Sequence, residues 1–120
     1  MNPNVIKNLE ESIEAPAEGL SVDAAWDHKS HAMEYRGVWL HSGKVAFELG
    51  PFYSGSNNLG EFMAIVHGLR YLNRKGLDYP VYSDSQTAIS WVRNRRVTSR
   101  SASLGLLSSD VYSRMTRLLT

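Results

Sequence analysis

Three carboxylates, Asp23, Glu61 and Asp84, have the residue type and setting for joint chemistry. Asp23 falls inside an alternating run in which Leu20, Val22, Ala24 and Trp26 form one face and Ser21, Asp23 and Ala25 the other, the period of a strand. Glu61 lies in the first turn of a segment where Phe62, Ile65, Val66, Leu69 and Leu72 recur at i, i+3, i+4, i+7 and i+10, which predicts a helix with one apolar stripe. At about 100° per residue Glu61 sits beside that stripe, so its carboxylate points along the border between the helix and the sheet it covers. Asp84 ends a short strand, Pro80 to Asp84, at the carboxyl end where α/β sheets bind ligands.

Each acid also has a reading without chemistry. Asp23 can face solvent from a half-exposed antiparallel sheet. Asn58 and Glu61 have the spacing of a capping box, and Asp84 with Ser85 can simply start the next helix. Taken together the three point elsewhere. If the late strand runs parallel to the first, Asp84 comes close to Asp23 and the intervening helix carries Glu61 over the same point. Converging carboxylates repel one another unless cations neutralise them. All-oxygen sites with open water positions suit Mg²⁺ or Mn²⁺, which also hold phosphates. Two such ions about 4 Å apart clamp the attacking and leaving oxygens of a phosphodiester displacement.

The elements that position these acids follow from pattern. A polar turn from Asp27 to His31 leads to a second alternating run, Met33 to Leu40, and His41-Ser42-Gly43 turns into a third, Lys44 to Leu49. Short connections make the three an antiparallel meander. Gly50, Pro51 and the loop from Ser54 to Asn58 deliver the chain to the long helix, which Gly76 ends. After the Pro80 to Asp84 strand, Ala88, Ile89 and Val92 stripe a second helix, Ser85 to Asn94. The expected fold is α/β: a mixed sheet of three antiparallel strands plus a fourth parallel to the first, flanked by helices. Residues 1–19, with Glu10, Glu11, Glu14 and Glu18, read as a flexible acidic leader or a marginal helix, and residues 20–120 as the folded domain. Leu104, Leu107, Val111, Met115 and Leu118 predict a last helix, Ser103 to Leu119, suited to homodimerisation if left uncovered.

The 120 residues, 42% hydrophobic and 21% charged, suffice for one core. The absence of cysteine excludes disulfides and thiolate metal sites. No apolar run reaches membrane-spanning length and no signal peptide is read, so a cytoplasmic protein without membrane contact is expected. A net charge of +1 says nothing about partners, but Arg93, Arg95, Arg96 and Arg100 cluster, either to grip phosphates or as a solvated turn. His28, His31, His41 and His67 lack metal-ligand spacing, and His67 reads as a surface residue. The tryptophans and tyrosines read as packing residues.

Three segments carry a resemblance to a known family. Val22-Asp23-Ala24-Ala25, Asn57-Asn58-Leu59-Gly60-Glu61 and Tyr82-Ser83-Asp84-Ser85-Gln86, in that order and spacing, resemble the first strand, helix entry and fourth strand of type 1 ribonuclease H. The resemblance spans about residues 20 to 96. It implies hydrolysis of the RNA strand of RNA/DNA hybrids with two Mg²⁺ or Mn²⁺ ions, giving 3′-hydroxyl and 5′-phosphate ends. Asp23, Glu61 and Asp84 would be the catalytic metal ligands. Asn57, Asn58, Ser85 and Gln86 would meet the hybrid, where 2′-hydroxyls mark the RNA strand, and Arg93, Arg95 and Arg96 would meet phosphates.

The sequence departs from the family twice. The first hairpin turn, Trp26-Asp27-His28-Lys29-Ser30-His31, replaces a glycine-rich one that lets the RNA strand approach. The family's fifth strand and last helix, with a fourth acidic ligand and a histidine that aids product release, have no counterpart read here. Asp110, the only late acid, is not promoted to that role. Weaker metal binding and slower turnover are therefore expected unless another chain or a water supplies the missing ligand. The alternatives are a weakly active or inactive domain of the same fold that binds nucleic acid or a protein, and a nuclease or transposase-like relative acting on DNA.

Overall fold

The computed structural model describes residues 6–8, 18–53 and 57–94. Along the chain these form β1 (Ile6–Asn8), β2 (Leu20–Trp26), β3 (Ala32–Trp39), β4 (Val45–Tyr53), α1 (Asn57–Lys75), β5 (Val81–Ser83) and α2 (Gln86–Asn94). The strands build one mixed sheet in the order β1-β5-β2-β3-β4. The expected meander is present, with β2 antiparallel to β3 and β3 to β4. The expected parallel strand is present too: α1 carries the chain across so that β5 pairs with β2, Leu20 opposite Val81 and Ser21 opposite Tyr82.

Two expectations are corrected. Residues 6–8 are not leader: Ile6, Lys7 and Asn8 pair in parallel with Val81, Tyr82 and Ser83. The sheet therefore has a fifth strand after all, entering from the N-terminal side of the chain. Ile6 is 1% exposed, and burying it beside the apolar face of β5 gives three residues a place that their own pattern does not announce. The third meander strand also does not stop at Leu49. It continues through Gly50 and Pro51 to Tyr53, with irregular register between Met33 and Tyr35 and between Gly37 and Val38. Because β4 is an edge strand, a proline without an N–H and a glycine at φ 129° fit where a central strand would reject them.

One core lies under α1 and α2. The predicted stripe of α1 is buried, and so are Leu59, Met63 and Ala64, because α1 is wedged between the sheet and α2. Phe62 meets Trp91 of α2 edge-on at 6.2 Å, while Ile6, Leu20, Val22 and Val81 supply the sheet side. Two glycines set the depth of α1. A Cβ on Gly60 would lie 2.7 Å from Met33 Cγ and 3.2 Å from Ala24 Cβ, and one on Gly68 would lie 3.1 Å from Val22 Cγ1. The helix ends as predicted at Gly76, φ 66°, where Leu77 N–H donates to Leu72 carbonyl oxygen.

His67, read as a surface residue, is half-buried. Its Nδ1 lies 2.9 Å from the Tyr35 hydroxyl, and its ring stacks on Phe47 with centroids 4.0 Å apart. Burial, with the charges of Arg70 and Arg74, pushes its pKa down, and burial pushes that of Tyr35 up to about 12, so both shifts favour the neutral forms of the two hydrogen-bonded rings. No helix among the described residues is long and apolar enough to cross a membrane. The Ser103 to Leu119 helix and its dimer face lie outside the described residues, as do Arg95, Arg96 and Arg100.

Candidate metal centre

The three acids come from three elements that meet at one rim. Asp23 is on β2, Asp84 is the residue after β5, and continuing the β2–β5 register by two residues sets these two opposite each other. Glu61 reaches them from the first turns of α1, carried in by the close approach of Gly60 to Ala24 and Met33. One carboxylate oxygen from each residue lies within 4.8 Å of the others. Asp23 and Asp84 are exposed, whereas Glu61 is 5% exposed.

Glu61 is not a capping residue. Its Oε1 accepts the N–H of Ala24 on β2 at 3.3 Å, and α1 begins at Asn57, so both asparagines are already helical. Its buried Oε2 accepts no hydrogen bond. Burial first, then the charge of Asp23, a hydrogen bond from the protonated carboxyl to Asp23 and the charge of Asp84, push its pKa up to about 8, offset in part by the Ala24 N–H. A displacement from 4.5 to about 8 amounts to roughly 5 kcal/mol against the ionised form.

That arrangement has the character of a cation site. A buried carboxylate oxygen is normally hydrogen-bonded; this one accepts no hydrogen bond, and its carboxylate lies beside two others. The donor set is all oxygen, with one buried and two solvent-facing carboxylates, which suits a hard divalent ion that keeps some of its water. A cation there would supply the partner that Oε2 lacks.

The other predicted site residues divide. Asn57 and Asn58 are exposed one turn before Glu61, and Gln86 is exposed two residues after Asp84, so all three flank the acids. The Ser85 hydroxyl accepts the Ala88 N–H at 3.1 Å and so caps α2. Arg93 lies seven residues further along α2 than Gln86, about 10 Å at 1.5 Å per residue. Its Nη2 donates to the Ile6 carbonyl oxygen at 2.9 Å, pinning α2 to β1.

The neighbours of Asp23 on the open face of the sheet are not announced by the local pattern. Arg36 stands opposite it in register, Glu48 stands opposite Arg36, and these three with Glu34 line one cavity. The alternation of β3 already put Glu34 and Arg36 on one face, but only the strand register aligns that face with Asp23. The 27–31 turn is held by Asp27, whose carboxylate accepts the Lys29 N–H and the Ser30 hydroxyl, both at 3.0 Å. Those contacts lower its pKa. His31, at φ 62°, stacks on Trp26 with centroids 5.7 Å apart. No protein-family model matches the chain.

Proposed function

We propose that this chain is a divalent-cation-dependent endonuclease that hydrolyses the RNA strand of RNA/DNA hybrids, leaving 3′-hydroxyl and 5′-phosphate ends. One observation carries the reading: the buried carboxylate of Glu61, whose Oε2 accepts no hydrogen bond, lies within 4.8 Å of those of Asp23 and Asp84, where the carboxyl end of β5 meets the middle of β2. The likeness of the three segments to type 1 ribonuclease H supplies the substrate class.

In this reading Asp23, Glu61 and Asp84 hold Mg²⁺ or Mn²⁺, two ions per site. When bound, such ions stabilise charge on the attacking and leaving oxygens of a phosphodiester. The protein's own residues do the rest. Exposed Asp23 and Asp84 leave the site open to a strand arriving at the rim, while Glu61, fixed by the Ala24 N–H, anchors it from beneath. Asn57, Asn58 and Gln86 offer amides to both edges of that rim, suited to the 2′-hydroxyls and base edges of a minor groove.

The test is cleavage of an end-labelled hybrid with Mg²⁺ and with Mn²⁺, beside double-stranded DNA and double-stranded RNA. Cleavage of the hybrid's RNA strand, lost in EDTA and in Asp23→Asn and Asp84→Asn, is the expected result. Hybrid binding without cleavage in either metal would overturn it.

A further inference from the structure

The surface around the acids is electrically lopsided. On the β3–β4 side the cavity that shares Asp23 is lined by Glu34 and Glu48 against one cation, Arg36, and the adjoining cavity again has Glu34 together with Asp27. A polyanion is repelled there. On the other side a cleft runs between β1 and the exposed stripe of α2, lined by Asn8, Gln86, Ile89, Ser90, Arg93 and Asn94. Among the described residues that line it there is no carboxylate, the one formal charge is positive, and four of the side chains carry amide or hydroxyl donors. Gln86 is two residues from Asp84, so their Cα atoms are at most about 7 Å apart and the cleft opens at the rim where the acids meet.

Its walls are fixed. Arg93 is tied to the Ile6 carbonyl oxygen at 2.9 Å, and because a guanidinium has five N–H groups, that bond leaves others for a ligand. The Asn94 amide donates to the Ser90 hydroxyl at 3.1 Å. Asn8, 9% exposed, sits at the carboxyl end of β1 beside Ser83. A planar fork beside amide and hydroxyl donors matches the tetrahedral oxygens of a phosphate.

We propose that the cleft formed by Asn8, Gln86, Ser90, Arg93 and Asn94 holds a backbone phosphate of the nucleic acid, next along the strand from the phosphodiester at the three acids. This rests on the nuclease reading and deepens it, because it sets the direction in which the strand leaves the site: over β1 and α2, away from the acidic face of β3 and β4.

Two variants and two probes test it. Arg93→Gln removes the charge but keeps a donor for the Ile6 carbonyl oxygen, and Ser90→Asp puts a negative charge in the cleft at an exposed helical position. Binding of a fluorescein-labelled RNA/DNA hybrid, with Ca²⁺ replacing Mg²⁺, should weaken about tenfold in each, and the salt dependence of Arg93→Gln should fall by about one phosphate contact. Mn²⁺ affinity of the free protein should not change. Inorganic phosphate should shift the side-chain amide resonances of Gln86 and Asn94 in the unaltered protein and not in Arg93→Gln. Unchanged hybrid affinity and salt slope in both variants overturn the assignment. If the unaltered protein binds no hybrid, the nuclease reading fails on its own, and the phosphate titration still decides the cleft: absent shifts overturn it.

Discussion

Glu61 offers a measurement that needs no substrate. Its pKa is about 8 in the folded chain against 4.5 when unperturbed, so the folded state holds a proton that the unfolded state has released at neutral pH. For a group raised in this way the stability is intact below about pH 4.5 and is lost as pH climbs toward about 8. At pH 7 the loss is about 2.5 pH intervals at 1.36 kcal/mol each, or about 3 kcal/mol. Glu61→Gln keeps the acceptor for the Ala24 N–H and cannot ionise. In EDTA the variant should therefore gain on the unaltered protein by about 3 kcal/mol between pH 4.5 and 7, on the order of 10 °C in melting temperature for a chain of this size. Urea unfolding of both proteins across that range, taken as a difference so that other titrating groups cancel, is the assay. Added Mg²⁺ or Mn²⁺ should reverse the order, stabilising the unaltered protein and not the variant. A variant-minus-native difference that stays flat with pH would refute the claim that Glu61 is strained by its surroundings, and with it the main support for a cation site.

Four further outcomes follow from the packing and the site. Asp23→Asn and Asp84→Asn should each lower hybrid cleavage more than about 100-fold, while circular dichroism stays native, since both side chains are exposed. Gly60→Ala should cost about 1–3 kcal/mol in urea unfolding through its clash with Met33, and it should weaken Mn²⁺ binding by lifting Glu61 from Ala24. Phe62→Ala, at a position with 0% exposure against Trp91, should cost about 3–5 kcal/mol in the same assay. Tyr35→Phe should lose about 1 kcal/mol, measured by thermal unfolding, because His67 Nδ1 is left without its hydrogen-bond partner.

Elements with a long enough repeat are legible in the residues alone. The alternation of β2 and β3 and the stripe of α1 are each enforced along seven or more residues by the need to bury one face, so type and facing could be read directly. The residues also determine that the three acids belong together, because a helical crossover between strands of one sheet leaves little choice of topology. Tertiary structure alone decided the rest. β1 has three residues and no period of its own; it is a strand because β5 offers it an edge and the core takes Ile6. Asn58 and Glu61 fit a capping box equally well on paper, and what turns Glu61 toward β2 is the depth to which Gly60 lets α1 sink. Arg93 and His67 lie on faces that look solvated along their helices, and each acquires its partner, the Ile6 carbonyl oxygen or the Tyr35 hydroxyl, from a strand distant in sequence. A local pattern records which face a residue occupies; what waits opposite that face is set by the pairing of segments far apart in the chain.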